Sequence, residues 1–380
     1  MENLTSEFVP FNERIWLNTA HQGPIPKKAV EAIQQAVKNK ISPSLIEDDS
    51  FIRVPLSLNE NLGKLICTPA DDIILGNSTT YGLHILANGI PLKEGDEVLL
   101  VCGDFPASIV SWLGLKKKGI SIRFLEPKGD IIQPEELMKG INSKTKVFCT
   151  SCVNSFNGYT IDIKSLGEIC RSKGIYFIVN GSQAIGAKSI NVSNLQIDAI
   201  TSCGFKWLCG PYATGFIWIR PELRKQLNYN NNYWLTMQGD RSLNDMKDQN
   251  FDLQNDNTGN KYDVFCMANF FNFMPWTESV RLLVEMGMDK VETYDHYLVN
   301  YMIDNLDYAK YKLLSPQNNS NQSALVVISN KDQNINTKVY GLLKSNKIDI
   351  ALREGNLRIS PHIFNQNSDL EKLLELLNSV

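Results

Sequence analysis

The chain has 380 residues, 43% of them hydrophobic and 21% charged, with a formal net charge of −3. That length suggests about two domains in an ordinary globular protein, and the charge offers no basic footprint for nucleic acid. No apolar run reaches the roughly 18 residues of a membrane span, and the polar start MENLTSEFVPFNER is no signal peptide.

From about residue 70, short β-branched runs alternate with helical stretches. DDIILG reads as a strand, followed by a helix that opens at Ser78-Thr79-Thr80 and runs through LHILANGI. DEVLLVC is a strand, ASIVSWLGLKKKG a helix and ISIRFLE a strand. KVFCTSCV, IKSLGEICRSKG and YFIVN form a strand–helix–strand unit, and DAITSCG and GFIWIR complete the series. This alternation predicts an α/β fold, a mostly parallel sheet with helices on both faces, in a large domain over 15–265. Residues 224–260 are rich in Asn, Asp and Gln and read as a long loop, either a disordered insertion or a lid. WTESVRLLVEMGMDKVETYDHYLVNYMIDNL is a long amphipathic helical stretch. It leads into a smaller α+β unit, so that 1–14 and 266–380 make the second domain.

Eight cysteines are spread at 67, 102, 149, 152, 170, 203, 209 and 266 without disulfide-scaffold density, which suits a reducing cytoplasm. The close pairs Cys149/Cys152 and Cys203/Cys209 lack histidine partners, so no metal site is expected. The chain has no G-x-G-x-x-G and no Walker P-loop.

Two runs carry most of the chemistry. Lys206 sits among apolar neighbours in TSCGFKWLCGP, where a depressed pKa would make it nucleophilic at neutral pH. Asn180 closes the strand YFIVN, at the end where open α/β sheets bind ligands. Thr79 and Thr80 open a helix after a strand, as an anion site does and as a plain N-cap does equally. Gln183 suits a ligand contact or a buried structural amide, and Phe105 a core position. Arg358, near Arg353 in ALREGNLRISPHIFN, suits either a carboxylate clamp or a surface strand. None of the four histidines (21, 84, 296, 362) pairs visibly with Ser or Cys in a triad pattern.

Taken together, LNTAHQGPIP, GDEVLL, VNGSQAIGA, GFKWLCGPYATGFIWIRPEL and LRISPHIFN resemble the class V aminotransferase family, with cysteine desulfurases and isopenicillin-N-epimerase-like proteins. The resemblance covers nearly the whole chain and implies fold type I of pyridoxal 5'-phosphate (PLP) enzymes. That fold has a seven-stranded, mostly parallel sheet, a small C-terminal domain and a homodimer with sites at the interface. It implies Lys206 as the Schiff-base lysine and Gln183 on the cofactor's phenolic oxygen, helped by Ser155 or Asn154. Thr79 and Thr80 would hold the phosphate, Phe105 would stack on the ring, and Arg358 would receive the substrate carboxylate, with His21 in the same substrate region.

Four positions depart from the family's pattern. Asn180 stands where an Asp keeps the pyridine nitrogen protonated. Cys203 and Phe205 match the Ser and His that flank the lysine, and Cys266-Met267 matches a Gly-Thr pair. No cysteine follows Cys266, so the mobile-loop cysteine of desulfurases has no counterpart. A neutral Asn at 180 weakens the ring as an electron sink. The reading is therefore a PLP enzyme acting on an amino-acid-like small molecule by lyase (β-elimination) or epimerase-type chemistry. A conventional aminotransferase and a catalytically silent PLP-binding relative are the alternatives.

Overall fold

The computed structural model describes residues 4–229, 234, 258–266, 268–317 and 320–379. Most of the 224–260 segment, read above as a loop or lid, lies outside these residues, as does Met267. Among the described residues no helix is long and apolar enough to cross a membrane.

In chain order, β1 (Ile15–Trp16) precedes two helices, α1 (Lys27–Ile41) and α2 (Ser50–Ile66). Then come β2 (Ile73–Gly76), α3 (Thr79–Gly89), β3 (Glu97–Val101), α4 (Pro106–Leu113), β4 (Ser121–Leu125) and α5 (Pro134–Gly140). They are followed by β5 (Thr145–Ser151), α6 (Ile163–Ser172), β6 (Tyr176–Asn180), β7 (Ala199–Cys203), β8 (Gly215–Ile219) and α7 (Pro221–Arg224). The C-terminal part holds α8 (Phe270–Met286), α9 (Met288–Asp304), β9 (Tyr311–Leu313), β10 (Val326–Asn330) and α10 (Asn336–Ser345). It ends with β11 (Ile348–Asp349), β12 (Ala351–Arg353), β13 (Asn356–Ile359) and α11 (Asn367–Asn378).

Seven strands form the main sheet in the order β2-β8-β7-β6-β5-β3-β4. All pairings are parallel except those of β8, which runs antiparallel to β2 and β7. Strands β2, β3, β6, β7 and β8 are buried almost end to end, which is why they read as continuous apolar runs rather than alternating ones. The alternating helices expected from sequence thus cover a sheet with two buried faces. β6 and β7 are register neighbours, with Asn180 opposite Thr201, so the carboxyl ends of both strands open at one edge of the sheet.

A four-stranded antiparallel sheet, β12-β13-β10-β9, forms the smaller unit. β1 pairs in parallel with β11, tying the N-terminal segment to this unit. The stretch read as one long helix is two: Gly287, at φ +86°, ends α8 and starts α9 on a new axis. α8 buries Phe273, Trp276, Val280 and Leu283 in the same cluster as the main sheet's Phe177, Val179 and Ile200. α9 instead packs Leu298, Val299 and Met302 with the small sheet's Val326, Ile328 and Leu357. The two helices therefore join the two cores through one glycine.

Candidate active site

β7 ends at Cys203, and a tight loop carries Lys206 away from it. The Gly204 N–H donates to Thr214 O and the Gly210 N–H returns to Gly204 O, closing the loop on itself. Cys209 takes a positive φ of 49° inside it. The N-terminal segment braces the loop from outside, with the Gly23 N–H donating to Phe205 O at 2.9 Å. Backbones meet so closely there that a Cβ on Gly23 would stand 2.2 Å from Lys206 O. Lys206 Nζ lies 5.4 Å from the centre of the Phe105 ring, placed by the residue just before α4. Burial lowers the Lys206 pKa below its ordinary value; Cys203 opposes this, and Arg358 and Arg353 add to it.

Asn180 terminates β6 and is buried. Its Oδ1 accepts from Ser182 N at 3.1 Å and from Ser182 Oγ at 2.7 Å, and its Nδ2 donates to Ser108 Oγ at 3.0 Å. Both oxygen lone pairs are thus occupied and one N–H is left for a ligand. Thr79 Oγ1 lies 2.6 Å from Ser182 Oγ. Ser182 has already given its proton to Asn180, so Thr79 is the donor in that contact. Buried Cys203 adjoins the same hydroxyls, and burial raises its pKa. Beyond Ser108, its Oγ lies 3.3 Å from Ser151 Oγ, and Asp104 accepts from Ser151 N at 2.7 Å and Thr150 Oγ1 at 3.2 Å. Burial holds the Asp104 carboxyl above the usual range despite those bonds.

Gln183 is held from both ends: Nε2 donates to Ala20 O at 3.0 Å, and Oε1 accepts from Trp207 Nε1 at 2.8 Å. One amide proton remains uncommitted. The Trp207 carbonyl in turn lies 3.0 Å from His362 Nε2, while His362 Nδ1 sits 2.8 and 3.1 Å from the two Asp295 oxygens. Burial pushes His362 down, yet the Asp295 carboxylate prevails and its pKa stands at about 10.

Arg358 on β13 is buried and donates Nη1 to the carbonyl of buried Ser155 at 3.2 Å, while its Nε has no partner. Burial and Arg353 lower its pKa to about 10. His21 is exposed over much of its surface; partial desolvation of its ring, then Arg353, Arg358 and Lys206, lower its pKa. Thr79 is buried at the first turn of α3, whereas Thr80 is exposed on it.

The geometry therefore gathers Lys206, Phe105, Cys203, Asn180 and Thr79 at the strand ends, with Arg358, Ser155 and His21 closing from the other side. The Cys266-Met267 position is described only at Cys266, which is half-buried. Sequence reasoning missed Ser182 and Ser108, which set the Asn180 amide, and the His362–Asp295 pair. Ser182 stands in the quoted VNGSQ run, so proximity was a signal for it. His362 stands in the quoted LRISPHIFN run, but Asp295 lies 67 residues away and nothing local marks it as the partner.

A model of the family described as aminotransferase class-V matches residues 51–371. A probable cysteine desulfurase of Methanothermobacter thermautotrophicus is 21% identical over 60% of this chain, and the match spans 58% of that relative's length. An uncharacterized aminotransferase, YcbU of Bacillus subtilis, is 23% identical over 99% of this chain and 98% of its own. Two solved structures of C-DES share the fold. The first, a mutant with glycine covalently linked to the PLP cofactor, has a TM-score of 0.88 and 17% identity over 98% of each chain. The second, a complex of that cystine C-S lyase with its product cysteine persulfide, has a TM-score of 0.85 and 18% identity over 96% of this chain and 97% of that one.

Proposed function

The chain belongs to the class-V aminotransferase family of PLP-dependent enzymes, and from that premise we propose that it is a lyase that eliminates a β-substituent from an amino acid. The residues present fit PLP. A buried lysine of lowered pKa and a buried guanidinium with an orphaned Nε lie in one site, and among the described residues neither has an acidic partner. The N-terminus of an eleven-residue helix, α3, adds backbone donors for a phosphate. Lys206 would bond the cofactor, Phe105 would cover its ring, the Thr80 hydroxyl and the backbone N–H groups of Thr79 and the start of α3 would hold its phosphate, and Gln183's free N–H would reach its phenolic oxygen.

Bound PLP supplies an electron sink conjugated to the substrate's Cα. The chain's residues decide how deep that sink is and where protons go. Lys206 Nζ, kept below its ordinary pKa by burial, is a base suited to the Cα proton at neutral pH. Arg358 orients the α-carboxylate through its fork. The observation that carries the reading is the Asn180 amide. Ser182 saturates its oxygen, so only an N–H faces outward. Offered to the ring nitrogen of bound PLP, the Asn180 N–H would leave that nitrogen unprotonated, so residue 180 would support charge at the substrate's Cα less than a carboxylate would. Expelling a β-leaving group disposes of that charge at once, whereas moving the amino group requires it to persist. The fold shared with a cystine C-S lyase supports the same direction. Epimerisation, which returns a proton promptly, is the second reading that Asn180 favours.

The test is product analysis on the purified, PLP-loaded protein. Amino acids with a β-leaving group should give ammonia and a 2-oxo acid, and Lys206→Ala should give neither. Amino-group transfer to an added 2-oxo acid at a rate matching or exceeding elimination would overturn the proposal.

A further inference from the structure

One cationic feature of the site exceeds what a cofactor and a single carboxylate call for. β12 and β13 are joined by Glu354 and Gly355, both with positive φ (48° and 74°), the two-residue turn that closes a tight hairpin. The register pairs Arg353 with Asn356 and Ala351 with Arg358. Side chains alternate along a strand, so Arg353 and Arg358 stand on one face, as diagonal neighbours roughly 7–8 Å apart. Among the described residues neither joins an ion pair. Arg353 donates Nη1 only to the carbonyl of its neighbour Leu352, and Arg358 keeps an unpartnered, buried Nε.

Two guanidiniums on one face, with Lys206 and His21 beside them and, among the described residues, no ion pair to any of the four, is an arrangement that repels itself. Each charge acts on the others, since Arg353 and Arg358 both lower Lys206 and His21. The phosphate end of the cofactor has its own donors at the start of α3, on the main sheet, and needs neither arginine. The buried Arg358 suffices for an α-carboxylate. The half-buried Arg353 is left over, further out on the same face.

We propose that Arg353 receives a second carboxylate, so that the preferred substrates are amino acids bearing an acidic group on the side chain or leaving group. This rests on the amino-acid reading above and sharpens it to a substrate class. Arg358 takes the inner carboxylate and Arg353 the outer one. Together they fix both ends of the substrate before any bond changes. A tight hairpin suits that task, because its strand pairing fixes the spacing of the two backbone positions.

The experiment uses unreactive acids as probes, so that binding is read apart from turnover. Glutarate and butyrate, which lack an amino group, are titrated calorimetrically into the PLP-loaded protein. Glutarate should bind roughly ten- to a hundred-fold more tightly, the range of one added charge-assisted contact. Arg353→Gln should remove that preference, and Arg358→Gln should weaken both acids. In turnover, Arg353→Gln should raise KM for a dicarboxylic amino acid with little change in kcat. Melting curves and the visible absorbance of bound cofactor confirm that each variant is folded and loaded. Equal affinity for the two acids in the wild type, or equal loss of both in Arg353→Gln, overturns the proposal. A protein that turns over no amino acid but still prefers glutarate refutes the lyase reading and leaves the two-anion site standing.

Discussion

Asp295→Asn removes one charge from a fully enclosed ion pair while keeping the side chain's shape. Asp295 and His362 are both buried, and Nδ1 lies within 3.1 Å of both carboxylate oxygens. Burial holds Asp295 above the usual carboxylate range, whereas His362 reaches about 10 because its carboxylate partner outweighs its own burial. Desolvation and pairing thus oppose each other, and the close contact to both oxygens decides for the charged pair. Breaking such a pair from one side costs about 3–5 kcal/mol. The lower end is expected, because a neutral His362 can still donate Nδ1–H to the new amide oxygen. The sign with pH follows from the direction of the shift. Folding favours protonated His362, so its contribution is complete below the unfolded value near 6.5 and is lost as pH rises through about 10. Wild-type protein should therefore lose stability from neutral to alkaline pH, and Asp295→Asn should lose less. Urea unfolding followed by tryptophan fluorescence and far-UV circular dichroism measures both, provided the two probes coincide. A variant with wild-type stability at neutral pH, or with a parallel pH profile, refutes the reasoning.

Gly23→Ala should cost about 1–3 kcal/mol, because the new Cβ meets the Lys206 carbonyl at 2.2 Å and neither backbone can yield cheaply. Its melting temperature should fall and its cofactor absorbance should be lost sooner on dilution than in the wild type. Ser182→Ala strands a buried Thr79 hydroxyl and frees one lone pair of Asn180. A loss of about 1–3 kcal/mol in unfolding free energy is expected, together with a changed absorption spectrum of the bound cofactor; an unchanged spectrum would show that Ser182 does not set the Asn180 amide.

Legibility in the sequence followed locality. The main sheet's strands are short apolar runs bounded by turn residues, and their alternation with helices suffices to place them. α1 escaped notice because its buried face is narrow, only Ala29 and Ala36, and α2, which buries Leu58, Leu62, Leu65 and Ile66, lies ahead of the strand–helix alternation that begins near residue 70. Both pack on α8, so their apolar stripes make sense only once that helix is in place. Gly287 looked like one glycine inside a helical pattern, yet its positive φ divides the stretch between two cores. At the site, Lys206, Asn180 and Arg358 were legible through their runs. What Asn180 offers a ligand was not, since that depends on Ser182 and Ser108 filling its other positions, and Ser108 lies 72 residues away in α4.

The loop that carries Lys206 is braced at three successive backbone carbonyls. Three successive carbonyls are engaged: Phe205 O by Gly23 N, Lys206 O by Cys209 N, and Trp207 O by His362 Nε2. One anchor comes from the N-terminal segment, one from the loop itself and one from the small unit. The Trp207 indole holds Gln183, which holds Ala20 in return. The backbone on either side of Lys206 is therefore held in place, and freedom to move is left to the side chain. In the role proposed for it, this confines reorganisation to four methylenes and an amine, which keeps the reacting geometry tight. It also couples the site to the small unit. Any movement of that unit that draws His362 away releases the Trp207 carbonyl, and with it the hold on the residue next to the lysine.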